Sequence, residues 1–571
     1  MKIPENRLEF FQSLLKSSIA GRDGAFDNIS RWYDQYRGDK RQSSGVDASV
    51  VRNITYELIE SQVSTEIPIP RVRAYNWSEE NERLARRCEL LLKNVRDSLP
   101  LERLNDIDER YTYIFGGSVF YLEWDEDERR EGVKGRVRIN VLNPECFIGQ
   151  PGVYEIDDME YCFIRFNTPI SEIEKRWGLD EGADSLLERA DDLSAVVNIC
   201  FYRNESGYVS IYVFSGDAEI SFVDDYYGRK KRYCPVCSSE KEFCECGSEK
   251  SILKSADTEL VRKDIVKSTG EIIPAKSRIP WYRPRKFPIA IRRNTSLDKS
   301  VIGQSDCEFI KDQQEEINRV LTRVHEKLMM AGVYPYKPED CSFRYDNSIG
   351  GKVLNLTRAD SPDSFGIVDT TPDISRDLEY AENIYDSAKR ILGISDTYQG
   401  NSDAKALSGK AKELEISQAA GRLESKRAMK CALYSELDEL IFEYMLAFSD
   451  DEKPLARKDA FGRIHNEAFS RYDFVKPTSD GKGYYYDDAF IFSAYNEKQG
   501  ESRKEAWERN LENYKAGVFG AAGEAETLLR YWQAQERAHY PGAKENTEYF
   551  KIIINESDPK GAEGNEEQYE K

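Results

Sequence analysis

Between residues 303 and 448 the apolar positions fall on helical spacing three times, and polar or turn-forming chain separates one run from the next. In the first run Ile310, Ile317 and Val324 recur every seven residues with Gln314, Leu321 and Leu328 interleaved, which puts one stripe on one face of a helix. Asp306 stands where an N-cap belongs, and Gly332 follows the last periodic residue. The second run, Ile374, Leu378, Ala381, Ala388 and Ile391, predicts a helix with Thr371 as N-cap, Pro372 at its first position and Gly393 as its stop. The third extends from about Ala406 to Phe448 through Leu407, Ala411, Leu414, Ile416, Ala419, Ala420, Leu423, Ala428, Ala432, Leu437 and Leu440, interrupted by Gly409 and Gly421. Gly332 to Thr371, which bears Tyr, Pro and Gly, reads as a small β-like insert. Ser395 to Asp403 reads as a polar loop feeding the third helix.

The same reasoning covers the rest of the chain. Leu8, Phe11, Leu14 and Leu15 form one helical face, and Val51, Ile54, Leu58, Ile59 and Val63 another, which ends at Ser64–Pro70. Residues 78–114 are helical through Leu84, Cys88, Leu91, Leu92 and Val95, then Leu101, Leu104, Ile107 and Tyr111, until Gly116-Gly117. Strands follow at Val119–Trp124, Val137–Val141 and Tyr161–Phe166, then a short helix over Pro169–Trp177 with Gly178 as its stop. Val196 to Phe214 reads as a hairpin turning near Asn204–Gly207. Pro280 to Pro288 is too proline-rich for a helix or central strand. Tyr472–Val475 and Ala489–Phe492 read as strands, and Glu501–Lys515 and Ala521–His539 as helices. The tail from Glu556 is acidic and glycine-bearing and reads as disordered. The fold class expected is α+β.

Composition narrows the function classes. A chain of 571 residues with 40% apolar residues has material for several domains. Eleven cysteines in this length do not describe a disulfide scaffold, so a reducing cytoplasm is the default compartment. No apolar run reaches the length of a membrane span, and the charged start does not resemble a secretion signal. The net charge of −21 disfavours a conventional duplex-DNA binder, which presents a basic face to phosphates. It leaves room for a surface past which DNA slides without sticking.

The strongest local chemistry is Cys234-Pro235-Val236-Cys237 followed by Cys244-Glu245-Cys246. A CxxC turn presents two thiolates to one tetrahedral ion, and a second close pair completes the set, which predicts structural zinc; free thiols or a redox pair are the other readings. The preceding Arg229-Lys230-Lys231-Arg232 reads as a solvated basic rim, with nucleic-acid contact as the alternative. Enzyme motifs fail. His325-Glu326 lacks the second histidine of a zinc protease helix, and Ser408-Gly409-Lys410-Ala411 lacks the glycine and hydroxyl of a phosphate loop. Asp106, Asp108 and Glu109 read as a charged helix face, and Asp125–Glu128 as a turn after a strand. No catalytic residue is assigned, and no enzymatic activity is expected.

Two long helices joined by a small insert, then a polar loop at the base of a third helix, describe a ring subunit better than an enzyme pocket. The order of elements resembles the portal proteins of tailed bacteriophages, the head–tail connectors. The residues that carry the resemblance are Gly116-Gly117-Ser118-Val119-Phe120, Val141–Phe147, Phe287-Pro288-Ile289, Gly303-Gln304-Ser305, Asp312–Arg319, Tyr398-Gln399-Gly400 and Ala406–Ala411, spread over roughly residues 50–450. The cysteine cluster is not general to that family.

The resemblance implies a wing over residues 1–302 with an insertion at about 229–250. It implies stem helices at 303–331 and 372–393, a clip at 332–371 and a tunnel loop at 394–406. A long tunnel helix and return to the wing would span 407–500, crown helices 501–555 and a disordered tail 556–571. It implies a dodecameric ring at one capsid vertex, in the virion after assembly in the host bacterial cytoplasm. Double-stranded DNA would pass through the channel, and a terminase motor, adaptor or tail proteins and the major capsid protein would dock on the ring. Asp396, Thr397, Tyr398, Gln399, Gly400, Asn401, Ser402 and Asp403 would meet around the axis, with Lys405 and Lys410 supplying sparse contact to phosphates. The alternatives are a zinc-dependent nucleic-acid enzyme of the packaging machinery and a zinc-ribbon nucleic-acid-binding scaffold.

Overall fold

The computed structural model describes residues 1–554 except 23, 25, 40–49, 77, 131–132, 179–182, 234–251, 269, 330, 332, 337–342, 347–352, 357–365, 370, 395–420, 459–463, 479–482, 496–502, 522, 538–539, 541, 544–545, 548 and 551–552. It is an α+β protein of mixed helix and strand. No helix among the described residues is long and apolar enough to cross a membrane.

The amino-terminal part opens with helices α1 (Arg7–Ala20), α2 (Ile29–Arg37) and α3 (Ile54–Gln62), then strand β1 (Ile69–Ala74). Helices α4 (Glu79–Asp97) and α5 (Leu101–Phe115) follow. Ser78 caps α4 by accepting the Asn81 N–H, and Leu84, Cys88, Leu91 and Leu92 form its buried stripe. Gly116 ends α5 in the left-handed region at φ 82°, and the chain turns directly into β2 (Gly117–Arg130) and β3 (Val133–Leu142). Asp125–Glu128 therefore lies within the β2–β3 ribbon, at a register shift, and is not a turn. The four acids look like a loop in sequence, but Arg138 pairs with Asp125 and Arg136 with Glu128 diagonally across the ribbon.

A five-stranded antiparallel sheet comes next, ordered β4 (Phe147–Gly149), β5 (Tyr161–Pro169), β6 (Ser194–Arg203), β7 (Val209–Ser215) and β8 (Ala218–Val223). Helix α6 (Ile170–Trp177) leaves β5 and stops at Gly178, as its sequence predicts. Strand β7 is buried along its whole length because the sheet is covered on both faces. One face packs on α1, where Phe11 stacks on Tyr212 at 4.3 Å; the other, through Ile199, Phe201, Ile211 and Val213, joins the main core.

Strands β9 (Arg229–Tyr233) and β10 (Ile252–Ala256) pair antiparallel, with Tyr233 opposite Ile252. Short strands β11 (Thr258–Leu260), β12 (Ile265–Val266), β13 (Ile272–Ile273) and β14 (Arg278–Pro280) lead to β15 (Ile289–Arg293), which pairs with β2.

Helix α7 (Asp306–Phe309) breaks at Ile310 before α8 (Lys311–Met329) begins. The cap of α7 is Ser305, not Asp306: the Ser305 hydroxyl accepts the Cys307 N–H and donates to Ile114 O, freeing the Asp306 carboxylate for a buried ion pair. Beyond α8, β16 (Val333–Tyr336), β17 (Phe343–Asp346), β18 (Val353–Leu356) and β19 (Gly366–Asp369) form two nested hairpins, β16 with β19 and β17 with β18. Helix α9 (Ser375–Leu392) starts three residues later than Pro372 suggests, since Asp373 first accepts the Ser375 N–H. It ends at Gly393 with φ 75°, as expected. Helices α8 and α9 run antiparallel. Arg323 and Lys327 late in α8 pair with Asp377 early in α9, while Ile310 and Ile317 pack with Tyr385, Ala388 and Leu392. Helix α3 closes the base of the pair through Ile54 and Leu58.

Helix α10 (Gly421–Phe448) is the described part of the third periodic run. It lies in the main core against β2, β15 and, after β20 (Lys453–Lys458), β21 (Ile464–Phe469), β22 (Val475–Pro477) and β23 (Tyr484–Tyr486), against β24 (Phe490–Tyr495). Strand β24 pairs with β1, a two-stranded edge position that tolerates Pro70. Residues 471–474 form a short 3-10 turn rather than the expected strand, and only Val475 onward is extended. Helices α11 (Arg503–Lys515) and α12 (Ala525–Arg537) follow.

Candidate functional site

Lys426, Lys430, Tyr434 and Asp438 stand four residues apart on α10 and therefore on one face. All four are buried, and the three charged ones reach three different helices. The Lys426 ammonium donates to both Asp306 carboxylate oxygens at 2.8 and 2.6 Å and to Gln62 Oε1 at 2.9 Å. Lys430 donates to Glu66 O at 2.6 Å and pairs with Glu109 at 3.0 Å. Asp438 accepts a bidentate pair from Arg96 at 2.8 and 2.7 Å, and Arg96 also donates to Tyr434 O and Pro68 O.

A second layer sits behind Lys430. Arg292 on β15 donates to Asp108 at 2.6 Å and to Glu109 at 2.8 Å on α5. Ser118 donates to Asp108, and the Ser64 N–H and Tyr113 hydroxyl donate to Glu109. Asn294 and Gln62 complete the Asp306 carboxylate. The reading of Asp106, Asp108 and Glu109 as one charged face is thus corrected: Asp106 alone is exposed, while Asp108 and Glu109 are fully buried and paired. Arg96, Arg292, Lys426 and Lys430 match Asp108, Glu109, Asp306 and Asp438 in number, so the formal charges of the buried set cancel, although burial pushes the Asp438 carboxyl up to about 7 against the pull of Arg96. Burial pushes the Glu109 carboxyl up, but Arg292, Lys430 and the Ser64 N–H outweigh it and hold Glu109 below its usual range.

The packing of this network is tied to glycine. Gly116 O accepts N–H bonds from Asn294 and Gly303, both at 2.9 Å, and a Cβ on Gly116 would meet Gly303 O. The helix-to-strand step at Gly116-Gly117 and the Gly303-Gln304-Ser305 segment, far apart in sequence, are therefore in direct contact. Gln62 on α3, Glu109 on α5, Asp306 on α7 and Arg292 on β15 are joined to α10 at the base of the α8–α9 pair.

Chemically the network is suited to holding elements rather than to turnover. The cavity beside Glu109, Tyr113, Arg292 and Lys430 has a volume of about 10 Å³, room for roughly one water and no substrate. Among the described residues no three His, Cys, Asp or Glu side chains are grouped to hold a metal. His325 is exposed on α8. Arg229 does not belong to a free basic rim: it donates to Ala447 O and Phe448 O and pairs with Asp450, capping the carboxyl end of α10.

Cys234, Cys237, Cys244 and Cys246 lie outside the described residues. So do Asp396, Thr397, Tyr398, Gln399, Gly400, Asn401, Ser402, Asp403, Lys405 and Lys410. Cys88, Cys146, Cys162, Cys200, Cys307 and Cys431 form no disulfide.

Another row of α10, Glu436, Glu439 and Glu443, stands beside Lys286 of the Pro280–Pro288 segment. Lys286 pairs with Glu439 at 2.7 Å, but Glu443 Oε2 is buried without a hydrogen-bond partner. Burial, followed by the Glu439 charge, pushes the Glu443 carboxyl up from 4.5 to about 8. The folded chain thus holds a proton that the unfolded chain releases. The stability this group contributes is full below about pH 4.5 and is lost as pH rises through about 8. Glu443→Gln is expected to raise stability at pH 8.5 by about 1–2 kcal/mol and to leave it nearly unchanged at pH 5. Thermal unfolding at the two pH values checks this; an equal shift at both would contradict it.

No family model matches the chain, and no curated protein matches it.

Proposed function

We propose that the chain is a portal subunit: one member of a dodecameric ring through which double-stranded DNA enters and leaves a tailed-phage capsid. The observation that carries this reading is the α8–α9 pair. Two antiparallel helices are bridged by nested hairpins and rooted on α3 and α7, and the chain then continues into α10, which is locked into the α/β core by buried charges. In this reading α8 and α9 are the stem, β16–β19 belong to the clip, and residues 1–302 with α10 and β24 form the wing. The clip is the docking face for a terminase motor and later for adaptor and tail proteins, and the wing faces the major capsid protein. Residues Asp396–Asp403 would ring the channel, with Lys405 and Lys410 near the phosphates. The contact of Gly116 with Gly303 supports the reading, because both segments carry the sequence resemblance. The net charge of −21 also fits a bore that does not hold DNA, since like charge repels phosphates within the screening length.

The cysteine cluster fits a stapling zinc. Four thiolates are a closed tetrahedral set, and the chain departs at Tyr233 and returns at Ile252 on one rung, so an ion held by Cys234, Cys237, Cys244 and Cys246 would close the tip of a hairpin already paired at its base. Elemental analysis of protein purified without chelators is expected to find about one zinc per chain; less than about half would contradict it.

Sedimentation of the purified chain tests the ring itself. A discrete species near twelve chain masses of 65.8 kDa is expected. A monomer with metal-dependent nuclease activity would favour the enzyme alternative instead.

A further inference from the structure

A cavity of about 420 Å³ opens between α4, the β2–β3 ribbon, the end of α10 and β20. Its size is that of a small-ligand site. Its walls are apolar through Leu91, Val95, Met445 and Leu455, and its charged lining is two cations, Arg136 and Lys453, against one carboxylate, Glu128.

Both cations have donors to spare. Lys453 Nζ carries three N–H groups and donates to Gly135 O at 2.8 Å; its ammonium stands 4.7 Å over the Trp124 ring, and it makes no ion pair with a described carboxylate. Burial pushes its amine down to about 8, with the Asp451 charge opposing. Arg136 pairs with Glu128 at 2.9 Å through one terminal nitrogen and donates to Ser98 O through the other, which leaves one further N–H on each. An anionic acceptor takes up such remaining N–H groups in charge-assisted hydrogen bonds. Apolar walls around two under-satisfied cationic donors complement a ligand with one negative head and an apolar body.

We propose that this cavity binds an apolar monocarboxylate, with its carboxylate on Lys453 and Arg136 and its hydrocarbon against Leu91, Val95, Met445 and Leu455. The proposal is independent of the ring reading, since every residue it uses lies in the α/β core. Dodecanoate is the probe, and dodecylamine, with the same tail and the opposite charge, is the control.

Titration calorimetry of the full chain is expected to show one dodecanoate per chain, no dodecylamine binding, and affinity weakened about tenfold or more in Lys453→Met. In the unmodified chain, saturating dodecanoate is expected to slow acetylation of the Lys453 amine by an N-hydroxysuccinimide ester about fivefold or more, read by peptide mass spectrometry, because an ion-paired amine stays protonated. This second measurement needs no variant and stands if Lys453→Met fails to fold. Absence of dodecanoate binding, equal binding of dodecylamine, unchanged affinity in a folded Lys453→Met, or unprotected Lys453 overturns the proposal.

Discussion

Arg292→Met is expected to destabilise the chain by about 3–5 kcal/mol, because it leaves two carboxylates buried with their main counter-charge removed. Arg292 is 1% exposed, Asp108 and Glu109 are 0%, and both carboxylates bond to the same guanidinium nitrogen. Lys430 would remain as partner to Glu109, but Asp108 would keep only the hydroxyls of Ser118 and Thr112. The loss should be read as a lowered urea midpoint at pH 7. It should shrink at low pH, where both carboxyls can take up protons on unfolding and, in the variant, in the folded state too. A loss under 1 kcal/mol would mean that the three charges are not coupled as the distances imply.

The second large effect is a coupling between α7 and α10. Asp306→Asn leaves Lys426 buried without a full charge partner, and Lys426→Met leaves Asp306 so; each is expected to cost about 3–5 kcal/mol. The double variant removes both charges and is expected to lose less than the sum, with a coupling energy of about 1–3 kcal/mol. Gln62 and Asn294 would then share the neutral site. Additive losses would show that Lys426 holds α10 in place through its stem packing rather than through Asp306.

The amphipathic elements were legible in the sequence because their partners impose a simple period. Ile317 and Val324 face α9 on one side while Glu315, Arg319 and Glu326 face solvent, so the stripe of α8 is plain in the residues. Gly116, Gly178 and Gly393 marked helix ends because each takes a positive φ. The charge network was not legible for a physical reason. A buried carboxylate and a solvated one look alike in sequence, and the partner that decides between them is remote: Arg292 lies 184 residues from Asp108, and Arg96 342 residues from Asp438. The signal that was there is the spacing of Lys426, Lys430 and Asp438, four and then eight residues apart and so on one face of α10, together with Arg292 beside the apolar run Ile289-Ala290-Ile291. The expected cap at Asp306 went to its neighbour Ser305 for the same reason, since a distant lysine competes for the aspartate. Strand β1 was obscured by Pro68 and Pro70, which read as a break until β24 is known to pair only one edge. The expected zinc ligands and tunnel loop lie outside the described residues, so the fold bears on them only through the paired strands and helices that flank them.

Everything in the functional account depends on this chain closing into a ring. The measurement that tests it most directly is negative-stain imaging of the purified full-length protein, with class averages viewed down the symmetry axis. The account predicts annular particles of one rotational symmetry with a central hole, each built from about twelve copies of the 65.8 kDa chain. Compact particles of single-chain mass with no hole, at concentrations and salt where the protein remains folded, would contradict it.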